Sequence, residues 1–301
     1  MRINRIALNG FRNYDFDTAE FSPGTNVIYG ENAQGKTNLL EAVYMLAMGR
    51  SFRTRFDREL IGFGCDSAEI LADIVSHERE QTVRILLRNG VRKQITVNAV
   101  KKTASELGET LNVVLFCPDD LNLIKEGAAA RRRLMDNAIS QIRPRYAEYL
   151  SQFNKFYESK TRILKDWREK PSLLDTLDEF SDGMCRASAQ LIRYRASFAA
   201  RLAEEAAPVH SEFSGADERL GIEYSTVSSV KDPTASAKEI FYDLCDHMEA
   251  HKKAELDSGQ CLSGAHKDDL IISINGKNAR SFASQGQTRT AALSIKLAER
   301  E

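Results

Sequence analysis

Hydrophobic and polar positions divide the chain into a strand-rich beginning, a long helical middle and a short mixed end. Ile3–Asn9 and Tyr14–Phe21 read as strands, followed by a Ser22-Pro23-Gly24 turn and by Thr25–Tyr29, a compact buried-strand pattern. Thr37–Met48 switches to a helical period, with apolar residues at 39, 40, 43, 46 and 47 and Gly49 placed to end the helix. Ala68–Val75, Thr82–Leu87 and Gln94–Val97 predict antiparallel strands, the last two joined by an Asn89-Gly90 turn. Asn112–Phe116 reads as another buried strand, stopped by Cys117-Pro118.

From about residue 128 to residue 251 the pattern is mainly helical. Arg131–Ile142, Arg145–Glu169 and Leu173–Ala206 form long segments separated by Pro144 and Pro171. A strand at Arg219–Val227 interrupts before a helix over Ser236–Leu256. Leu270–Ile274 returns to strand, Asn275-Gly276 supplies a turn, and Ala291–Ala298 closes the chain as an apolar helix. Strand-forming sequence at 1–130 and 257–301 therefore brackets a helical insertion at 131–256. No tandem repeat or low-complexity stretch interrupts it.

Composition acts mostly by exclusion. The chain has 301 residues, 42% hydrophobic and 28% charged, close to a soluble globular average. No apolar run approaches the ~18 residues of a membrane span. The N-terminus lacks an apolar core ahead of a small-residue cleavage site, so no secretory signal is expected. Five scattered cysteines without a C-x-x-C pair favour reduced thiols and a cytoplasmic protein. Net charge is −1, yet residues 131–170 hold eleven Lys/Arg against five Asp/Glu. Such segregation suits a phosphate-binding face, although on charge alone a solvated helix surface is the plainer explanation.

The strongest chemical signal is Gly30-Glu31-Asn32-Ala33-Gln34-Gly35-Lys36-Thr37, a G-x-x-x-x-G-K-[ST] loop between a predicted strand and a predicted helix. Glycines let successive backbone N–H groups turn toward phosphate oxygens, Lys36 reaches the outer phosphates, and the Thr37 hydroxyl is a ligand for Mg²⁺. The helix dipole adds to the attraction. ATP or GTP binding is expected. Far along the chain, Ser284-Gln285-Gly286-Gln287 opens a helix and forms a second candidate anion site, although Ser at a helix start is also an ordinary cap.

Together these motifs resemble the RecF family, bacterial DNA replication and repair proteins related to SMC heads. The matching stretches are Leu8–Tyr14, the phosphate loop, Gly49–Arg53, Cys117–Leu121, Arg131–Asp136, His266–Leu270 and Ser284–Glu301. The resemblance implies an α/β fold: an ABC/SMC-like P-loop ATPase head (lobe I, 1–130 and 257–301) with an inserted helical lobe (lobe II, 131–256). It implies that Ser284–Gln287 covers, in trans, a nucleotide held by the Gly30–Thr37 loop of a second copy, giving an ATP-dependent homodimer. It further implies binding to single-stranded and gapped or junction duplex DNA, and work with RecR and RecO in loading RecA. Arg12 and Asn13 fall where related heads reach base or ribose, and Arg12 also fits a solvated hairpin. The family pattern continues into a Walker B strand that this sequence does not show. A fragment with negligible ATP hydrolysis is therefore expected, and no catalytic residue is assigned. Ala265 stands where the family usually carries proline.

Candidate DNA contacts are Arg50, Arg53, Arg131, Arg132, Arg133, Lys155 and Lys160. Aromatics among the basic residues of the second insertion helix suit base stacking, and at helical spacing they also suit a core. His247 and His251 flank Glu249 as H-x-E-x-H, which puts the carboxylate on a different face from a zincin's. His266 beside Asp268 and Asp269 reads as turn and strand-edge chemistry. The rival functions are a small-molecule kinase, an ABC-type transport ATPase and an SMC-like scaffold that never turns ATP over.

Overall fold

The computed structural model describes residues 1–300, in two compact units that meet in sequence between Leu115 and Phe116. In the first, β1 (Arg2–Phe11), β2 (Tyr14–Glu20), β3 (Ser67–Ser76), β4 (Arg79–Arg88), β5 (Val91–Val97) and β6 (Val100–Lys102) form one antiparallel sheet in the order β2-β1-β3-β4-β5-β6. Alternate positions of β3 (Ala68, Ile70, Ala72, Ile74) and β4 (Val83, Ile85, Leu87) are buried. That period of two turns one face toward α1 (Lys36–Met48), whose Leu39, Ala42, Met45 and Leu46 join the same core. The Asn89-Gly90 turn is where the sequence placed it. The β3–β4 turn at His77-Glu78 is not glycine-marked, and both residues take positive φ (48° and 62°).

Two expected strands are absent. Neither Thr25–Tyr29 nor Asn112–Phe116 belongs to a sheet, and Val27 and Tyr29 are 77% and 89% exposed. Apolar runs of this length become buried strands only beside neighbours that complete their ladders, and among the described residues neither gains a place in a ladder.

The second unit holds α2 (Ala128–Ile142), α3 (Pro144–Asp166), α4 (Leu177–Ser214), β7 (Leu220–Ser225), α5 (Ala237–Ser258), β8 (Asp269–Ile274), β9 (Lys277–Asn278), the short α6 (Ala279–Phe282) and α7 (Gln285–Ala298). Pro144 opens α3 at its first turn, where a missing N–H is harmless. α4 runs to Ser214, past the expected end at Ala206, with Pro208 inside it. Packing overrides the breaker there: Ala206 and His210, on either side of the proline, are fully buried. α3 and α4 pack closely because Gly183 has no side chain; a Cβ there would lie 2.5 Å from the Phe156 ring. β8 pairs antiparallel with both β7 and β9. Residues 116–130 and 257–300, expected with the strand-rich part, pack here among the helices.

A buried polar hub explains that placement. The Arg195 guanidinium, 2% exposed, donates to Asp268 at 2.6 Å, to Asp136 at 2.8 Å and to the Ala265 carbonyl at 2.7 Å. Tyr224 and Thr226 also donate to Asp268, at 2.6 and 2.7 Å. Arg131 donates both nitrogens of a fork to Asp269 at 2.7 and 2.9 Å, and Arg132 donates to the Asp268 carbonyl at 2.7 Å. The triple-arginine stretch and the His-Lys-Asp-Asp stretch are thus partners in one network.

Arg195→Ala strands Asp268 in the core and is expected to destabilise the second unit by about 3–5 kcal/mol. Urea unfolding followed by the single tryptophan, Trp167, reads that unit directly. His266 packs against the Phe153 and Tyr157 rings, and burial lowers its pKa to about 4. The unfolded chain then binds the extra proton first as pH falls below about 6.5. Stability attached to His266 is full above that pH and is lost progressively toward pH 4. In His266→Phe the loss of stability between pH 7 and pH 5 should be shallower than in the parent; Asp268 titrates in both, so the difference isolates the imidazole.

Candidate functional site

The phosphate loop sits at the start of α1. Gly35 caps the helix with φ 96°, and no side chain satisfies the first-turn N–H groups, nor is there an acidic residue in that turn. Those N–H groups are the ones an anion would take. Lys36 Nζ folds back over the loop and donates to the Gly30 carbonyl at 2.8 Å and to the Glu31 carbonyl. Gly30 (φ 149°) and Ala33 (φ 65°) supply the backbone reversals that curl the loop. Glu31, Asn32, Ala33, Gln34 and Thr37 are exposed. A ligand with several phosphate oxygens fits this donor set, with Lys36 exchanging carbonyl oxygens for phosphate ones and the Thr37 hydroxyl open to a metal ion.

The loop is braced from the β1–β2 turn. Asn13 accepts from Asn38 at 2.7 Å and Tyr14 donates to the Gly35 carbonyl at 3.1 Å. Gly35 is demanded by its φ of 96°, and a Cβ there would also lie 2.7 Å from the Asn13 amide and push that brace aside. Arg12 plays a different part. Its guanidinium donates to both oxygens of Glu41 at 2.9 and 2.8 Å and to the Glu59 carbonyl at 2.9 Å. Glu41, on α1, is wholly buried and also accepts from Ser51 and, at 3.3 Å, from Arg53. Arg53 donates to Asn38 at 2.7 Å as well. Glu41 carried no motif and was missed by sequence reasoning; the signal was an acidic residue on the inward face of an otherwise apolar helix.

In the second unit, Ser284 caps α7. Gln287 N–H donates to Ser284 Oγ at 3.2 Å, and Ser284 N–H donates to Gln287 Oε1 at 2.8 Å. Gln287 Nε2 donates to Glu218 at 2.7 Å, and Glu218 lies 3.3 Å from the buried His210. Both roles foreseen for this motif therefore share the same atoms. Ser284, Gln285 and Gly286 are exposed, and a Cβ on Gly286 would meet nothing nearer than Ser284 Oγ at 3.9 Å. Packing does not explain that glycine; close approach from outside would. Lys125, also unforeseen, fixes the approach to the motif by donating to the Arg280 and Ala283 carbonyls, each at 3.0 Å.

The basic residues divide sharply. Arg131 (3% exposed) and Lys160 (1%) were expected to face DNA and do not. Arg131 is committed to Asp269 and to carbonyls of residues 123, 124 and 126, and Lys160 pairs with Glu255 at 2.6 Å. A buried cation needs its partner more than it can serve a ligand. Arg50, Arg133 and Lys155 are exposed, and Arg132 is half-buried. His247 and His251 stack at 4.0 Å and bond Ser263 and the His247 carbonyl; among the described residues no group of three or more His, Cys, Asp or Glu converges as a metal site. Among the described residues no helix is long and apolar enough to cross a membrane.

An ATP-loop head with an inserted helical part is the architecture of SMC-class heads. A solved SmcHead bound to the C-winged helix domain of ScpA has this fold, with a TM-score of 0.52, 15% identity, and coverage of 100% of this chain and 76% of that one. The RecF/RecN/SMC N terminal domain family matches residues 2–301. "DNA replication and repair protein RecF" from Acetivibrio thermocellus is 37% identical over 303 residues, covering 100% of this chain and 82% of that protein. A solved structure of the recombination mediator protein RecF with ATP in the RecFOR pathway superposes with a TM-score of 0.91 at 33% identity, over 99% of this chain and 79% of the other. The chain belongs to the RecF family.

Glu41→Ala removes the common acceptor of Arg12, Ser51 and Arg53. It is expected to lower the stability of the first unit by about 2–4 kcal/mol and to speed amide hydrogen exchange in α1, read by mass spectrometry against the parent.

Proposed function

We propose that this chain is an ATP-dependent DNA-binding clamp of recombinational repair and replication restart. Gly30–Thr37 would hold the triphosphate, with Lys36 on its outer phosphates and Thr37 as one ligand to Mg²⁺. Asn13 steadies the loop, and Arg12 acts on it through Glu41 rather than on the nucleotide. Ser284, Gln285, Gly286 and Gln287 would close over the nucleotide of a second copy, which makes ATP the bridge of a homodimer. Lobe I (1–130 and 257–301) would carry this machinery and lobe II (131–256) would guide DNA. The partners are single-stranded and gapped or junction duplex DNA, with RecR and RecO in loading RecA.

The observation that carries the reading is the pairing of two helix starts. One has no capping side chain and lies under a folded-back lysine, and the other is an exposed Ser-Gln-Gly whose glycine no packing requires. A small-molecule kinase would give the second no work. Arg50, Arg133 and Lys155 remain exposed contacts for DNA phosphates, with Arg132 at the margin and Arg53 tied to Glu41.

Light scattering with and without ATP and Mg²⁺ tests the clamp. The expected result is a doubling of mass with ATP, abolished by Lys36→Ala and by Ser284→Arg. A chain that binds ATP and stays a monomer would overturn the clamp reading.

A further inference from the structure

A groove of about 510 Å³ opens on the second unit between α3, α4 and α5, away from both helix starts in sequence. Its volume lies within the ~300–1,000 Å³ range of small-ligand sites. Tyr149, Phe241 and Tyr242 line it with aromatic surface, Arg186 and Lys238 with positive charge, and Gln152 and Gln190 with amides. No carboxylate lines it.

The side chains are arranged for a flat, anionic guest. Arg186 lies over the Phe241 ring, 5.0 Å from its centre, and Tyr242 meets Phe241 edge-on at 5.5 Å. Tyr242 is 55% exposed, which leaves its ring available for stacking. Helical spacing extends the charge beyond the groove: Arg145 lies two turns before Gln152 on α3, and Arg193 two turns after Arg186 on α4, both exposed. The nearby acids are Glu148 on α3, Asp182 bonded to Arg186 at 2.7 Å, Glu239 tied to the Ser236 cap at 3.0 Å, and Asp243 and Asp246 beside Tyr242 on α5. The surroundings are thus mixed in sign, while the lining itself carries two cations and no carboxylate.

We infer that this groove binds a short stretch of single-stranded nucleic acid, with bases stacked on Tyr242 and phosphates on Lys238, Arg186 and the flanking arginines. Stacking is tolerant of sequence because every base has a flat face, and the two amides can meet base edges. An acidic peptide with an apolar anchor suits the groove less well, because the anchor would desolvate both glutamine amides without giving them partners. The cations are also spread along three helices, as a phosphate backbone requires, rather than gathered at one point. The inference rests on reading the chain as a nucleic-acid-binding ATPase and adds a contact site in lobe II that lies outside the residues proposed above.

The test is fluorescence anisotropy with a short labelled oligothymidylate, on the whole chain, across a range of salt. Tyr242→Ala should weaken binding by about 5- to 100-fold and Tyr242→Phe should restore it. Lys238→Gln should reduce the slope of log affinity against log salt by about 0.7. Circular dichroism and ATP-dependent mass should stay as in the parent for all three. Equal affinity for oligothymidylate in the parent and in Tyr242→Ala and Lys238→Gln would overturn the groove, whatever the ATP experiment gives. So would a failure of the parent to bind the oligonucleotide, or its displacement by a glutamate-rich peptide carrying one phenylalanine at concentrations where unlabelled oligothymidylate has no effect. Tyr242-dependent binding in a chain that never dimerises would keep the groove and remove the clamp.

Discussion

One guanidinium organises the second unit. Arg195 is surrounded by Asp136, Asp268, the Tyr146 hydroxyl and a backbone carbonyl, with almost no access to water. A buried cation of this kind is tolerable only if every donor finds an acceptor, and here the acceptors come from α2, from α3 and from the turn before β8. α4 therefore cannot shift along its neighbours without leaving a charge unpaired. The same turn receives Arg132, and its next residue receives Arg131, so the start of α2 is fixed to the start of β8. From β8 the chain passes through β9 and α6 to the Ser284 cap. The position of the exposed Ser-Gln-Gly thus descends, element by element, from an ion pair buried well away from it in sequence.

The first unit uses the same device with the signs exchanged. Glu41 is the buried acid, and Arg12, Ser51 and Arg53 converge on it. Because Glu41 lies on the helix that the phosphate loop opens, the turn bearing Arg12 and Asn13 is tied to that helix twice, by charge at Arg12 and by amide contact at Asn13. Loop curvature depends on glycine conformations, and loop position depends on this brace. The first property is written in a short motif. The second needs residues far apart in the chain.

That difference also governs what could be read from residues alone. The phosphate loop, the Asn89-Gly90 and Asn275-Gly276 turns and the long helices are local, and each has a chemical marker within a few positions. Thr25–Tyr29 and Asn112–Phe116 carried the composition of strands, but strand pairing is a property of neighbours, which composition does not name. Arg131 and Lys160 looked like surface charge because Asp269 and Glu255 lie far along the chain. The turn at His77-Glu78 was silent for the opposite reason: its backbone takes the glycine conformation without the glycine. At Ser284 the residues were legible and their role was not, since a helix cap and an anion site ask for the same hydroxyl, the same N–H groups and the same spacing.

The separation of partners in the second unit bears on the order in which the molecule is made. Lys125 bonds carbonyls up to 158 positions ahead, and Arg131 waits for an acid 138 positions ahead. The sheet of the first unit, by contrast, closes largely through hairpins between successive strands. On a ribosome that sheet has all six of its strands as soon as residue 102 emerges. The second unit must hold α2, α3 and α4 open, with buried-to-be arginines still hydrated, until Asp268 and Asp269 have been made. At ~5–20 residues per second that interval is roughly 7–30 s. Through it the unsatisfied charges act as a brake: early collapse of the helices would bury cations without their acids, so closure is deferred until those two acids arrive.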